Sequence, residues 1–170
     1  MPTSASVKKL RIYFAHPYST WKLDMEQNII AELEKRGYEV INPFDREQGI
    51  MEAAGVERYY DDPSLELAKS IVQSDIGAID LCDGIFAWYP PNTAMIGTTF
   101  EVALVHCYNA DIRTDLVISS GALKQIMICC ETKHPFLWVF ADTFYLGIEN
   151  FFKDINLKEI TAKDQHVDPI

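Results

Sequence analysis

The run Ile85-Phe86-Ala87-Trp88-Tyr89, introduced by Asp83-Gly84 and stopped by Pro90-Pro91, constrains the fold more than any other stretch of the chain. A strand that is apolar at every position is buried on both faces, which requires a parallel sheet with helices on each side. The flanking sequence supplies such helices. Leu65, Ala68, Ile71, Val72, Ile76 and Ile79 recur at helical spacing before the run, with Asp62-Pro63 as the expected cap and first turn. An apolar helix from Thr98 to about Tyr108 is expected after it. Upstream, Leu10–Ala15 reads as a first strand ended by His16-Pro17. Trp21, Met25, Ile29, Ile30 and Leu33 then follow helical spacing up to a stop at Gly37. Tyr38–Ile41 reads as a second strand closed by Asn42-Pro43, and Arg46–Tyr60 as a short helix with a loop over the site. Gln125–Cys130 is expected to be a fourth strand and Phe136–Phe140 a fifth. Phe144, Ile148, Phe151 and Phe152 would line a last helix.

This alternation specifies an α/β fold, a doubly wound sheet of about five mainly parallel strands with helices on both faces. Ligands in such folds bind at the carboxyl ends of the strands, near the point where strand order reverses. The site is therefore expected within residues 15–19, 42–49, 89–101 and 131–135. The 170 residues read as one domain with a core over about 10–155, a polar excursion at 111–123 and a loosely held polar tail at 156–170.

Charge narrows the partners. The net charge of −10, with 15 Lys and Arg scattered through the chain, argues against binding a nucleic-acid polymer. Neither a membrane-spanning run of about 20 apolar residues nor the apolar core of a signal peptide is present in these residues, so a soluble, cytoplasmic protein is expected. Cys82, Cys107, Cys129 and Cys130 form no CxxC pair and read as reduced core thiols. His16, His106, His134 and His166 add no metal-ligand spacing, so neither a metal nor a cofactor is expected. Gly-rich dinucleotide and triphosphate loops and the Gly-x-Ser-x-Gly nucleophile elbow are missing as well.

Two carboxyl groups stand apart from the acidic surplus. Asp75 lies within the apolar stripe defined by Ile71, Val72 and Ile79. A carboxylate there is hydrogen-bonded at the stripe's edge, or protonated, or open to a cleft. Glu101 follows Gly97-Thr98-Thr99-Phe100 and opens an otherwise apolar helix. Thr98-x-x-Glu101 fits a capping box, yet this turn also lies where a carboxylate can face a ligand, and a helix start favours its ionised form. Tyr13 near the end of the first strand is either a core tyrosine or a hydroxyl in the same cleft. His16, Pro17 and Tyr18 form either a structural turn or a place for a planar ligand to stack.

Together, Ile12-Tyr13-Phe14-Ala15-His16-Pro17, the stretch from Asp75 to Tyr89, and Gly97-Thr98-Thr99-Phe100-Glu101-Val102-Ala103 resemble the nucleoside 2-deoxyribosyltransferase family, in order and spacing over roughly residues 10–155. The resemblance implies a flavodoxin-like fold and a double displacement at the anomeric carbon of a nucleoside. It implies Glu101 as the nucleophile that forms a covalent deoxyribosyl-enzyme. Asp75 would protonate the leaving base and deprotonate the incoming one, and Tyr13 would hold the nucleophile's carboxylate. Phe14 and Tyr18 align with positions lining the base site, and Gly97 with a glycine that lets the backbone approach the sugar. Two carboxyl groups in different protonation states suit cleavage of a glycosidic bond, which builds oxocarbenium character.

The chain departs from the family's pattern in places. His16-Pro17 stands where many members carry Gly-Pro, which puts His16 in the substrate pocket with an altered shape. Met95 stands where members often place Asp or Ser, leaving Asn92 or Thr93 to make that contact. Family sites are often completed by a neighbouring subunit, here through about His134 to Trp138, so a homo-oligomer is implied. The implied partners are a small-molecule nucleoside or nucleotide and a free nucleobase. Hydrolysis by an N-glycosidase and a non-catalytic nucleotide-binding module are the competing expectations.

Overall fold

The computed structural model describes residues 8–57, 64–109 and 123–158. Five strands, β1 (Leu10–Ala15), β2 (Tyr38–Ile41), β3 (Gly84–Tyr89), β4 (Gln125–Cys130) and β5 (Thr143–Leu146), form one parallel sheet in the order β2-β1-β3-β4-β5. The order reverses at β1, where β2 lies on one side and β3 on the other. Tyr13 is accordingly paired with Ile41 of β2 and with Ile85 of β3.

Alternation along the strands divides the core. Tyr13, Ala15, Ile85, Ala87 and Ile128 pack towards α3 (Leu65–Leu81), α4 (Ile96–Asn109) and α5 (Pro135–Phe140). Ile12, Phe14, Phe86, Trp88 and Met127 pack on the other face, towards α1 (Asp24–Lys35) and α6 (Ile148–Phe152). Every residue of β3 is buried, as its composition requires. Each fully buried large side chain, Phe14 and Phe86 among them, contributes about 1.5–3 kcal/mol. One repeated device fixes the strand starts. Asp83 accepts a hydrogen bond from Arg11 N, and Asp142 one from Ile126 N, each at 2.8 Å. Gly84 follows because a Cβ there would stand 2.6 Å from Gln125 O of the adjacent strand.

Several expectations need correction. The apolar stretch 136–140 is helix α5, not a strand: Pro135 presets the first helical turn, and Leu137 turns into the core while Phe136 and Val139 face outward. The fifth strand is Thr143–Leu146, so Phe144 belongs to the sheet rather than to the last helix. Asn42-Pro43 does more than close β2. Asn42 caps α2 (Pro43–Ala54) by accepting from Phe44 N, and Pro43 occupies its first turn. The cap of α3 is Ser64, which accepts from Leu67 N, while Asp62-Pro63 falls outside the described residues, as does 111–122 of the excursion. Asn156 is not loose: its side chain accepts from Phe144 N and Lys158 N. Beyond residue 158 the tail also lies outside the described residues. Cys82, Cys129 and Cys130 are buried, and Cys107 is half-buried; all four are free thiols. Among the described residues, no helix is long and apolar enough to cross a membrane.

Candidate active site

A cleft of about 530 Å³ opens at the carboxyl ends of β1 and β3, between the start of α2, the middle of α3 and the first turns of α4. Its position follows from the strand reversal, because the chain leaves β1 and β3 on diverging paths. Val72, Ile76 and Ile79 of α3 and Leu104 of α4 give it an apolar wall. Asp75 and Glu101 emerge from that wall.

Tyr13 reaches the cleft from beneath. Its ring is fully buried, and its hydroxyl donates to Glu101 Oε1 at 2.8 Å. Burial together with the negative charges of Glu101 and Asp75 holds the Tyr13 hydroxyl well above its ordinary value, so it remains a donor. Burial lifts Glu101 from 4.5 to about 7; the bond from Tyr13 opposes the shift and the charge of Asp75 adds to it. The expected capping box does not form. Helix α4 starts at Ile96, so Thr98 lies inside it, and Glu101, its sixth residue, gives its carboxylate to Tyr13 instead. Asp75 is lifted from 3.8 to about 7 by burial, against the opposing charge of Arg46.

A third carboxyl group, absent from the sequence-derived site, faces the same cleft. Glu47 of α2 is 3% exposed, and its Oε2 has no hydrogen-bond partner among the described residues. Burial, then the charges of Asp75 and Glu101, raise it from 4.5 to about 8. Its sequence neighbourhood, Asp45-Arg46-Glu47-Gln48, looks like a solvated face, but α2 packs against α3 and β1, and Glu47 is buried there.

His16, Tyr18 and Gly97 line the cleft as expected. The His16 ring is buried and bonded to Thr20 Oγ1 at 2.8 Å and Asn42 Oδ1 at 3.3 Å. Burial pulls it from 6.5 down to about 4, so it is neutral at pH 7. Phe44, which sequence reasoning also missed, stands edge-on to His16 and Tyr18 with ring centroids 4.8 and 5.3 Å away. A Cβ on Gly97 would meet nothing within 4 Å, so this glycine borders open space.

Two expected residues lie elsewhere. Phe14 points to the opposite face of the sheet from Tyr13 and underlies the His16 ring at 4.2 Å. Asn92 is exposed in the turn after β3, and Met95 lines the cleft in its place. Trp138 of α5, expected to serve a neighbouring subunit's site, packs against Phe144 of β5 outside this chain's own cleft. Among the described residues, no group of three His, Cys, Asp or Glu side chains is arranged to hold a metal ion.

The raised carboxyl groups have a thermodynamic consequence. Between its ordinary and raised pKa, each acid binds more protons folded than unfolded, so stability falls as pH rises through that window. His16 acts in the opposite direction, but only between about 4 and 6.5. From pH 6.5 to 8 the acids act unopposed by His16, with Asp75 and Glu101 giving way near 7 and Glu47 near 8. The Tm is expected to drop across that interval, and Glu47→Gln to remove the upper part of the drop. Thermal unfolding at closely spaced pH values measures both.

The family model for nucleoside 2-deoxyribosyltransferases matches residues 12–116. A 2-deoxyribosyltransferase structure from the psychrotolerant bacterium Bacillus psychrosaccharolyticus superposes with a TM-score of 0.57 at 14% identity, over 85% of this chain and 89% of that one. The Clostridium botulinum CMP N-glycosidase BcmB gives a TM-score of 0.49 at 16% identity, over 85% of this chain and 97% of that one. No curated protein sequence matches the chain. The first of these likenesses is one of fold.

Proposed function

The chain belongs to the nucleoside 2-deoxyribosyltransferase family, and from that membership we propose that it cleaves the N-glycosidic bond of a deoxynucleoside and passes the sugar to a second base. The observation that carries this reading is the 2.8 Å bond from Tyr13 to Glu101, made in a cleft that also holds Asp75. The bond aims one carboxylate oxygen and favours its ionised form. Arg46 favours the ionised form of Asp75 in turn, but Arg46 is exposed and its effect is screened by solvent. Both groups lie near 7, and the proposed reaction uses the state with the negative charge on Glu101 and the proton on Asp75.

These states set the chemistry. The Glu101 carboxylate attacks C1′ and forms an ester bond as the C1′–N bond breaks. The electron pair of that bond leaves with the base, which takes the proton of Asp75. A second base then gives its N–H proton to the Asp75 carboxylate while its nitrogen attacks C1′, and Glu101 departs as a carboxylate. Protons and electron pairs balance without a further reactant. The planar base would lie among Phe44, Tyr18 and His16, and the sugar beside Gly97. The reading includes a homo-oligomer, supported by the outward-facing Phe136 and Val139 of α5, which are 68% and 67% exposed.

The test is base exchange. Incubation with a deoxynucleoside and a different free base is expected to give the new deoxynucleoside, resolved by liquid chromatography. Free base released at the same rate with or without acceptor would mark a hydrolase. If a panel of purine and pyrimidine substrates gives neither product, the enzymatic reading fails.

A further inference from the structure

Glu26, in the first turn of α1, is completely buried, yet it does not line the cleft. We propose that Glu26 is a positioning residue: its carboxyl group ties the loop after β1 to the start of α2 and so fixes the aromatic wall of His16, Tyr18 and Phe44. The inference rests on the function proposed above and adds to it a residue that never meets the substrate.

A glutamate is rarely buried unless its oxygens are matched. Here the two oxygens are spent on two different segments. Oε1 accepts from Asn42 Nδ2 at 2.6 Å, and Oε2 accepts from Lys22 N. Asn42 in turn uses Oδ1 to accept from Phe44 N at 3.2 Å, which fixes that atom as an acceptor. His16 Nε2 stands 3.3 Å from the same Oδ1 and 3.4 Å from Glu26 Oε1. With acceptors on that side, the neutral ring carries its proton on Nε2. The cap of α2, the ring of His16 and the turn at Lys22 thus meet at one side chain.

The turn needs such a hold. Lys22 has a φ of 63°, a left-handed conformation that a residue with a side chain rarely adopts, and its N–H is the one Glu26 accepts. Strain of this kind persists only where the surroundings over-determine it, and it gathers at segments that clamp ligands. The rings that depend on the turn cross from the loop to α2. Tyr18 lies 5.3 Å from Phe44, and Trp21 lies 5.5 Å from Tyr18 and 6.0 Å from Phe44, between ring centroids. A slip of the loop against α2 therefore opens the wall where the planar base would rest. Tyr13, Asp75 and Glu101 stand on β1, α3 and α4, away from this junction. Glu26 should accordingly govern how well the nucleoside is held and leave the bond-breaking step alone.

The experiment is base exchange by the unaltered protein, Glu26→Gln, and Glu26→Gln combined with Asn42→Asp. Glu26→Gln keeps the shape but turns one oxygen into an amide nitrogen, which sets donor against donor at Asn42 or at Lys22 N. It should raise the KM for the deoxynucleoside by about tenfold or more. Its kcat should stay within about threefold of the unaltered protein. The double variant exchanges donor for acceptor at the 2.6 Å contact and keeps an acceptor for Phe44 N, so its KM should return to within about threefold of the original. If melting shows Glu26→Gln to be unfolded, Asn42→Ser carries the same expected rise in KM, since serine still caps α2 but offers Glu26 no amide. A merely structural role would reduce the folded fraction, and with it kcat, at unchanged KM. That result, or a KM that stays raised in the double variant, overturns the inference alone. No turnover of any nucleoside by the unaltered protein overturns the parent reading and this one with it.

Discussion

Glu101→Gln is expected to lower turnover by at least about a thousandfold, leaving only the contribution of positioning and of the remaining acid. The substitution is close to isosteric, and its amide oxygen can still accept the 2.8 Å bond from Tyr13, so the cleft keeps its shape. It also removes an acid lifted to about 7 by burial, so the variant should be no less stable than its parent above that pH. Loss of activity with retained stability separates a chemical role from a structural one. Intact-mass measurement with a slow 2′-fluoro deoxynucleoside analogue adds the direct observation. The parent should gain one sugar mass on Glu101, and Glu101→Gln none. An adduct on any other residue would reassign the nucleophile.

Asp75→Asn is the second large effect, and its size should depend on the leaving group. An acid that protonates the departing base contributes about 10²–10⁴-fold, and the asparagine variant should lose that factor for ordinary purine and pyrimidine deoxynucleosides. For 7-methyl-2′-deoxyguanosine, whose base already carries a positive charge and leaves without a proton, the loss should shrink to less than about tenfold. The pH profile gives an independent signature. Activity requires Glu101 ionised and Asp75 protonated, and both groups sit near 7, so kcat/KM should follow a narrow bell centred there. In Asp75→Asn the fall on the alkaline side should disappear. Equal losses for both kinds of leaving group would assign proton delivery to another residue.

Much of the fold was legible because β3 is apolar at all six positions, which no half-exposed strand tolerates. The boundaries of β1, β2 and β4 follow from the turn residues beside them. The errors have definite causes. Phe136–Phe140 carries the aromatic and β-branched residues of a strand, and only Pro135 signals the helix that forms. Phe144 satisfies helical spacing with Ile148 and Phe151, although its backbone joins β4 as the sheet's edge strand.

At the candidate site, Tyr13, Asp75 and Glu101 meet at one cleft because the strand β1 and the apolar stripes of α3 and α4 that carry them were readable in the sequence. Phe14 is a different case, since period-2 alternation already forbids residues 13 and 14 from facing the same side, and the resemblance overrode that signal. Glu47 had no local signature. Residues 42–49 stood out as a place to look, but this one carboxyl group is buried where α2 packs against α3 and β1, elements distant in the chain.

The reversal of strand order at β1 also has an evolutionary consequence. Phe44 and Glu47 come from the stretch directly after β2, whereas Gly97 and Glu101 come from the stretch after β3, and Tyr13 stands between them. Under the function proposed above, the groups that face the base and the carboxyl group that meets the sugar would therefore be carried by separate stretches of chain. Substitutions confined to residues 42–55 would then change which base is accepted while leaving Glu101 and Tyr13 in place.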